Sequence, residues 1–387
     1  MSDPSPPPLW PFPAAQEITE VLEWRADVLT SRAGEQRIAL RTRPREIVTF
    51  RHRLDALDMA RAAELARAGF AGDWRVPLWH MALQPVADLA QGATEILLDA
   101  GLSDFHSGDL AAIAVDGREA VPVAIASVLQ DRLILAEPLA LQPPGPTVAA
   151  QRVTVAPIRA GVLTSAIEIA RRRHGDGTVT ASFLLRDAPE ITAPALPTYL
   201  GRPVPTDPSL LRRPLSASLR RAVEYVDNGF GPVVVEPIRD VFERGETITL
   251  KAQGPAARHA LRRWLRSLRG RQASFWLPTW GHELQLRTPM TSGSVLMRVA
   301  PVAALDAYVG RRIMLELPGV LRFRTITAAI AEGADHRLTL SSNLGEPVPN
   351  STKVHFLTAV RSDTDRVEIR HEAVSSEVTL PVVEIQA

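Results

Sequence analysis

The chain has 387 residues, 45% hydrophobic and 22% charged, with a formal net charge of +1. That is long enough for two cored domains and too evenly charged to point to nucleic acid or an anionic membrane. Cysteine is absent, which excludes disulfides, thiolate metal sites and a cysteine nucleophile, and no apolar run reaches the ~18 residues of a membrane helix.

Residues 1–14 are rich in proline, which fixes φ and removes hydrogen-bond donors, so they read as an extended arm free to reach a neighbour. They lack the apolar stretch of a signal peptide, so the protein is expected to be made in the cytoplasm. Residues 15–195 read as a module of short strands with one main helix. Arg45–Arg51 alternates as a strand, and Leu54–Ala68 is rich in Ala, Leu, Met, Glu and Arg and stops before Gly69, as helices do. The run Trp74-Arg75-Val76-Pro77-Leu78-Trp79 follows as an aromatic strand. Further strands are expected over Glu95–Ala100, Leu110–Val115, Ala120–Val128, Arg132–Leu135, Arg152–Ile158, Leu163–Ile169 and Thr178–Leu185. Turn signals such as Asp116-Gly117 and Gly175-Asp176-Gly177 separate them.

Residues 196–214 form a second Pro-rich stretch, expected to be a linker, and 215–387 repeat the order of the first module. Pro77 and Trp79 match Pro278 and Trp280 at a spacing of 201, and Gly69 matches Gly270 likewise. Glu23-Trp24 matches Glu224-Tyr225 at 201, and Glu46, Thr49 and Phe50 match Glu246, Thr249 and Leu250 at 200. Gly117 matches Gly319 at 202, and Thr178-Val179-Thr180 matches Glu377-Val378-Thr379 at 199. An ordered series of this kind predicts a tandem duplication. The expected fold is therefore mainly β with α: two copies of a ~200-residue sandwich-like or barrel-like module, each carrying one main helix.

Residues that carry chemistry are sparse. Asp104, His106 and Asp109 have no counterparts in the second copy and read as an exposed turn. His174-Gly175-Asp176-Gly177 reads as a hairpin turn. No catalytic, cofactor-binding or metal-binding residues are expected. Trp74, Pro77, Trp79, Phe275, Trp276, Pro278 and Trp280 read as the core of the repeat, because matched aromatics beside a matched helix bury large areas. Trp79 and Trp280 are both expected to be largely buried. The second helix carries Arg258, Arg262 and Arg266 at i, i+4, with Arg263 and Arg269 nearby and no acid, whereas the first carries Asp55, Asp58 and Glu64. Like charges at that spacing disfavour a helix, so something acidic is expected opposite: DNA is one candidate, and a neighbouring protein surface is preferred in a chain of near-neutral net charge.

The run from Glu224-Tyr225 through Arg244-Gly245-Glu246, the helix, Leu268-Arg269-Gly270 and Phe275-Trp276-Leu277-Pro278 resembles the distal tail and minor tail proteins of long-tailed bacteriophages and gene transfer agents. Trp74-Arg75-Val76-Pro77 is a weaker form of the same pattern. The resemblance implies a non-enzymatic ring protein in the virion tail tip. Its implied partners are the tail tube protein, the tape measure protein and the hub or tip proteins, with no membrane anchor and no direct nucleic-acid binding. The ring is expected to be a homo-oligomer, either a trimer acting as a pseudo-hexamer or a hexamer. A carbohydrate-binding or host-adhesion module is the second reading and a glycan hydrolase the third.

Overall fold

A computed structural model of the chain describes residues 6–14, 17–31, 34–140, 147–164, 167–172, 175–187, 192–206, 216–227 and 229–385. The fold is mainly β, with strands paired antiparallel and two α-helices among the described residues.

The first half runs β1 (Ile18–Glu23), β2 (Ala26–Ser31), β3 (Gly34–Ala39), β4 (Arg45–Asp55), α1 (Ala56–Gly69), β5 (Asp73–Pro77), β6 (Leu89–Ala90), β7 (Glu95–Leu97), β8 (Leu110–Val115), β9 (Val121–Val128), β10 (Arg132–Leu135), β11 (Thr147–Val148), β12 (Val153–Leu163), β13 (Glu168–Arg171) and β14 (Asp176–Leu185). A small hairpin of β15 (Thr198–Tyr199) and β16 (Arg202–Pro203) leads to the second half. That half runs β17 (Ser216–Val226), β18 (Val234–Gln253), α2 (Gly254–Leu268), β19 (Ser274–Pro278), β20 (Leu296–Val299), β21 (Arg312–Leu317), β22 (Val320–Glu332), β23 (Asp335–Leu340), β24 (Lys353–Ser362), β25 (Arg366–His371) and β26 (Ser375–Glu384). The strand expected over Leu163–Ile169 is instead the end of β12 and the start of β13.

Two long strands organise the halves. The start of β12 pairs with β8 and its end with β5 and β14, so it passes from one sheet into the next. In the second half β24 does the same with β21, β19 and β26. Each half consequently has two matching cores, and the second half has a third around Trp276, Met314 and Leu357. One lies under its helix, around Phe50, Trp74 and Phe183 or around Leu265, Phe275 and Leu380. The other lies within the smaller sheet, around Ile96 and Leu133 or around Met297 and Leu338.

The helices bury different faces. Asp55 caps α1 by accepting from the Asp58 amide at 2.8 Å, and Met59, Ala62 and Ala66 face the core. Gly69 is required for packing rather than as a stop signal: a Cβ there would lie 2.3 Å from the Trp74 ring. Helix α2 has Pro255 in its first turn and ends at Arg269 in the left-handed region. It buries two stripes, one apolar (Leu261, Trp264, Leu265, Leu268) and one of arginines (Arg258, Arg262, Arg266).

Neither Pro-rich segment is simply a free arm. Leu9 bridges Arg75, Trp10 and Phe12 are 0% and 1% exposed, and Trp10 Nε1 donates to His52 Nε2 at 2.9 Å. Residues 8–12 therefore belong to the first core, because two large aromatics gain more from burial than an extended arm gains from freedom. In the second stretch Val204 is fully buried against Trp276, whose Nε1 donates to the Tyr199 carbonyl at 2.7 Å. Residues 207–214 of that linker lie outside the described residues.

The halves are joined by strands. β1 pairs with β4 of its own half and also with β25 of the other, in the register Glu20↔Val48 and Glu20↔Ile369. Leu22 and Trp24 consequently enter the core of the second half. The β2–β3 hairpin is tied to the same half: Arg361 makes a two-pronged pair with Glu35 at 2.8 and 3.0 Å, and Arg37 donates to the Gln272 carbonyl at 2.7 Å.

Candidate functional site

The densest polar chemistry lies where the two halves meet, and it is assembled by the arginine stripe of α2. At i, i+4 spacing its three side chains project from one face. Strand alternation turns Glu46 of β4 inward with Val48, Phe50 and His52, and Glu20 is buried at the middle of β1, between β4 and β25. His80 comes from the one-turn helix Trp79–Met81, Asp104 from the loop after Leu102 and His371 from the end of β25.

Arg262 bonds three carboxylates at once: Glu20 and Glu46, each at 2.6 Å, and Asp104. Arg266 bonds the other oxygen of Glu46. The second oxygen of Glu20 meets His371 Nε2 at 3.0 Å, and His371 Nδ1 meets Ser376 Oγ at 2.8 Å. His80 stacks on His371 with ring centroids 4.8 Å apart; its Nε2 lies 3.6 Å from a Glu20 oxygen, and among the described residues neither ring nitrogen has a hydrogen-bond partner. Arg258 donates to the His80 carbonyl at 2.8 Å and to Ser376 Oγ at 3.0 Å, closing the cluster on its far side.

Burial raises the energy of every charge here, so direct pairing decides each state. Burial pushes the Glu20 carboxyl up, but Arg262 and the two histidines outweigh it and hold the group well below its usual range. Asp104 behaves the same way, with Arg262 bringing it to about 2 against the opposing effect of burial. Glu46 goes the other way: burial, helped by Glu20 and Asp104, exceeds the pull of Arg262 and Arg266 and raises it. Burial lowers both His80 and His371, overcoming the pull of Glu20 on each.

One oxygen or nitrogen from each of Glu20, His80 and His371 fall within 4.8 Å of one another, a donor set of a kind that metals use. Arg262, already bonded to Glu20, opposes a second cation at that carboxylate. These side chains are at most 2% exposed, so no substrate reaches them. The arrangement acts as a tie between the halves.

Several expectations about interface residues need correction. Arg258, Arg262 and Arg266 do face acidic or carbonyl oxygens, but those of the same chain: at 9%, 2% and 8% exposure they are not a surface for another molecule. Arg263 donates to the carbonyls of Thr192 at 2.6 Å and Ala193 at 3.1 Å, and Arg269 is exposed. The acids of α1 do not meet α2. Asp55 is a cap, Asp58 lies 3.6 Å from Arg61, and Glu64 pairs with Arg67 at 2.6 Å. Asp104 is buried rather than part of an exposed turn, because Arg262 supplies the charge that makes its burial tolerable. The hairpin expected at 174–177 joins β13 to β14; Arg173 and His174 lie outside the described residues.

Of the aromatic set, Trp74, Pro77, Trp79, Phe275, Trp276 and Pro278 are buried. Trp280 is only half-buried. At φ +55° it turns off the end of β19 and lines an apolar groove of about 240 Å³ with Leu261, Trp264, Pro194 and Leu196. The sequence reading missed Glu20, Glu46, His80 and His371; the acid-free arginine stripe was the one signal that called for them. No family model matches the chain, and no curated protein matches it in sequence.

Proposed function

We propose that the chain is a tandem duplication of one module and serves as a non-enzymatic ring subunit of a phage-like tail tip, joining a tail tube to a host-binding hub. The observation that carries this reading is the recurrence of the strand ladder. The first half pairs β4–β14, β13–β14, β12–β14, β5–β12, β8–β12, β8–β9 and β9–β10. The second pairs β18–β26, β25–β26, β24–β26, β19–β24, β21–β24, β21–β22 and β22–β23 in the same order. Pro77 stands opposite Ile158 and Pro278 opposite Leu357, in keeping with the sequence spacing. Before the helix the ladder favours a different spacing. Phe50 opposes Ala181 and Ile248 opposes Leu380, so Phe50 corresponds to Ile248 rather than Leu250.

The halves also meet through unlike surfaces, a β1 edge on one and a β25 edge on the other. Head-to-tail contacts of that kind build rings where the rotation between units closes, and three chains would then supply six modules. The resemblance to tail-tip proteins gives the ring its place and its partners: tube, tape measure and hub. Labelling purified tailed particles from the source cell with an antibody to this chain tests the proposal. Label at one end of the tail supports it, and particles lacking the chain overturn it.

The half-buried Trp280 favours a second reading, a glycan-binding or adhesion module. The Trp280 groove is lined almost wholly by apolar side chains, whereas sugar sites need convergent polar groups as well. Tryptophan fluorescence titration with host surface glycans separates the two readings: saturable quenching abolished by Trp280→Ala supports adhesion.

A further inference from the structure

We infer that β17 of one chain pairs antiparallel with the free edge of β13 of a second copy, repeating between chains the contact that β1 and β25 make within one. The inference rests on the duplication reading above. Within the chain, β1 is sandwiched between β4 and β25 over six residue pairs, from Ile18↔His371 to Glu23↔Arg366. Its counterpart β17 pairs with β18 but, among the described residues, with nothing on its other side. The counterpart of β25 is β13, which pairs there only with β14. The contact joining first half to second is therefore filled, and the two edges that would join second half to first are both open.

Three further observations fit a missing neighbour at those edges. Val367 and Ile369, covered by β1, are 3% and 1% exposed, whereas Ile167 and Ile169 at the matching places are only half-buried. The segment between β1 and β4 is the β2–β3 hairpin, which bonds across to the other half through Glu35 and Arg37. The matching segment between β17 and β18 is a long hairpin whose end shows Tyr225, Phe230 and Val233 to solvent at 70%, 93% and 50% exposure. An open strand edge beside apolar side chains is a surface built for pairing.

The ladders also set the register. Glu20 opposes Val48, and Ala217 opposes Glu246, the counterpart of Val48, so Ala217 stands where Glu20 does. Glu20 opposes Ile369, the counterpart of Ile169, so Ala217 of one chain should face Ile169 of the next and Ser216 should face Ala170.

The chain has no cysteine, so engineered pairs report without background. Two double variants of the full chain suffice: Ser216→Cys with Ala170→Cys, and Ala217→Cys with Ile169→Cys. Adjacent antiparallel pairs alternate between wide and close types, so one of the two is the close type that a disulfide bridges more readily. On oxidation, at least one double variant should give covalent oligomers on a denaturing gel, while each single variant stays at monomer mass. Monomer mass for both double variants, with the native fold retained by circular dichroism, overturns the pairing. Cross-links in an assembly that is not a closed ring leave the pairing standing and remove the ring; a ring without cross-links does the reverse.

Discussion

Arg262 and Glu20 lie 242 positions apart in the chain and bond at 2.6 Å, with Glu46 equally close on the next nitrogen of the same guanidinium. A single side chain of the second half thus bonds carboxylates on two strands of the first. Removing one partner of a buried ionic cluster leaves charges without compensation. Arg262→Ala is expected to cost on the order of 3–5 kcal/mol in urea denaturation, whereas Arg263→Ala, whose partners are two carbonyls near the surface, should cost less than about 1 kcal/mol. Equal midpoints for the two variants would remove the cluster from its role as the tie.

The buried histidines predict sensitivity to acid. Burial lowers His52 to about 4 from an ordinary 6.5, despite its bond to the Pro13 carbonyl. His80 and His371 are lowered by the same cause. A lowered value means that the unfolded chain takes up protons first, so stability is complete above about pH 6.5 and is lost as pH falls toward 4. His52 alone accounts for about 3 kcal/mol of that loss. Asp104, held at about 2, adds a further loss below about pH 4. Glu46 is raised and has the opposite sign, favouring the fold at the acid end. Denaturation midpoints at pH 7.5, 5.5 and 4.5 should fall in that order, and His52→Gln should flatten the slope.

The N-terminal segment is part of a core. Trp10 packs edge-on against Trp74 at 5.6 Å and against Phe12 at 5.2 Å. Trp10→Ala is expected to lower stability by about 3–5 kcal/mol. A melting temperature indifferent to that change would return the segment to the status of a free arm.

The two tryptophans near the end of β19 should separate in the same assay. Trp276 is 1% exposed and Trp280 only half-buried. Trp276→Ala should cost about 3–5 kcal/mol, and Trp280→Ala about 1–2 kcal/mol, in proportion to the area it hides. Equal losses would mean that the groove beside Trp280 is closed in solution.

Much of the architecture was legible because it depends on local pattern. The alternation in β4 and the helices that end near Gly69 and Gly270 each declare themselves within a few residues. What escaped depends on distant partners. Glu20, His80, Asp104 and His371 come from four separate elements, and nothing local separates a carboxylate that will meet Arg262 from one left in solvent. Trp10 and Phe12 were hidden by the prolines around them, which signal extension but not docking. On the proposed duplication, the two-residue difference between the sequence match of Phe50 and its ladder match follows from the two-residue repeat of β strands, since a slipped comparison keeps the same inward face.

We propose that unlike edges of the chain meet in a closed ring. Native mass spectrometry of the purified full chain tests that most directly. The prediction is one dominant species with the mass of three chains, six modules in all. A monomer at every concentration, or an open-ended ladder of masses with no preferred stop, would contradict it.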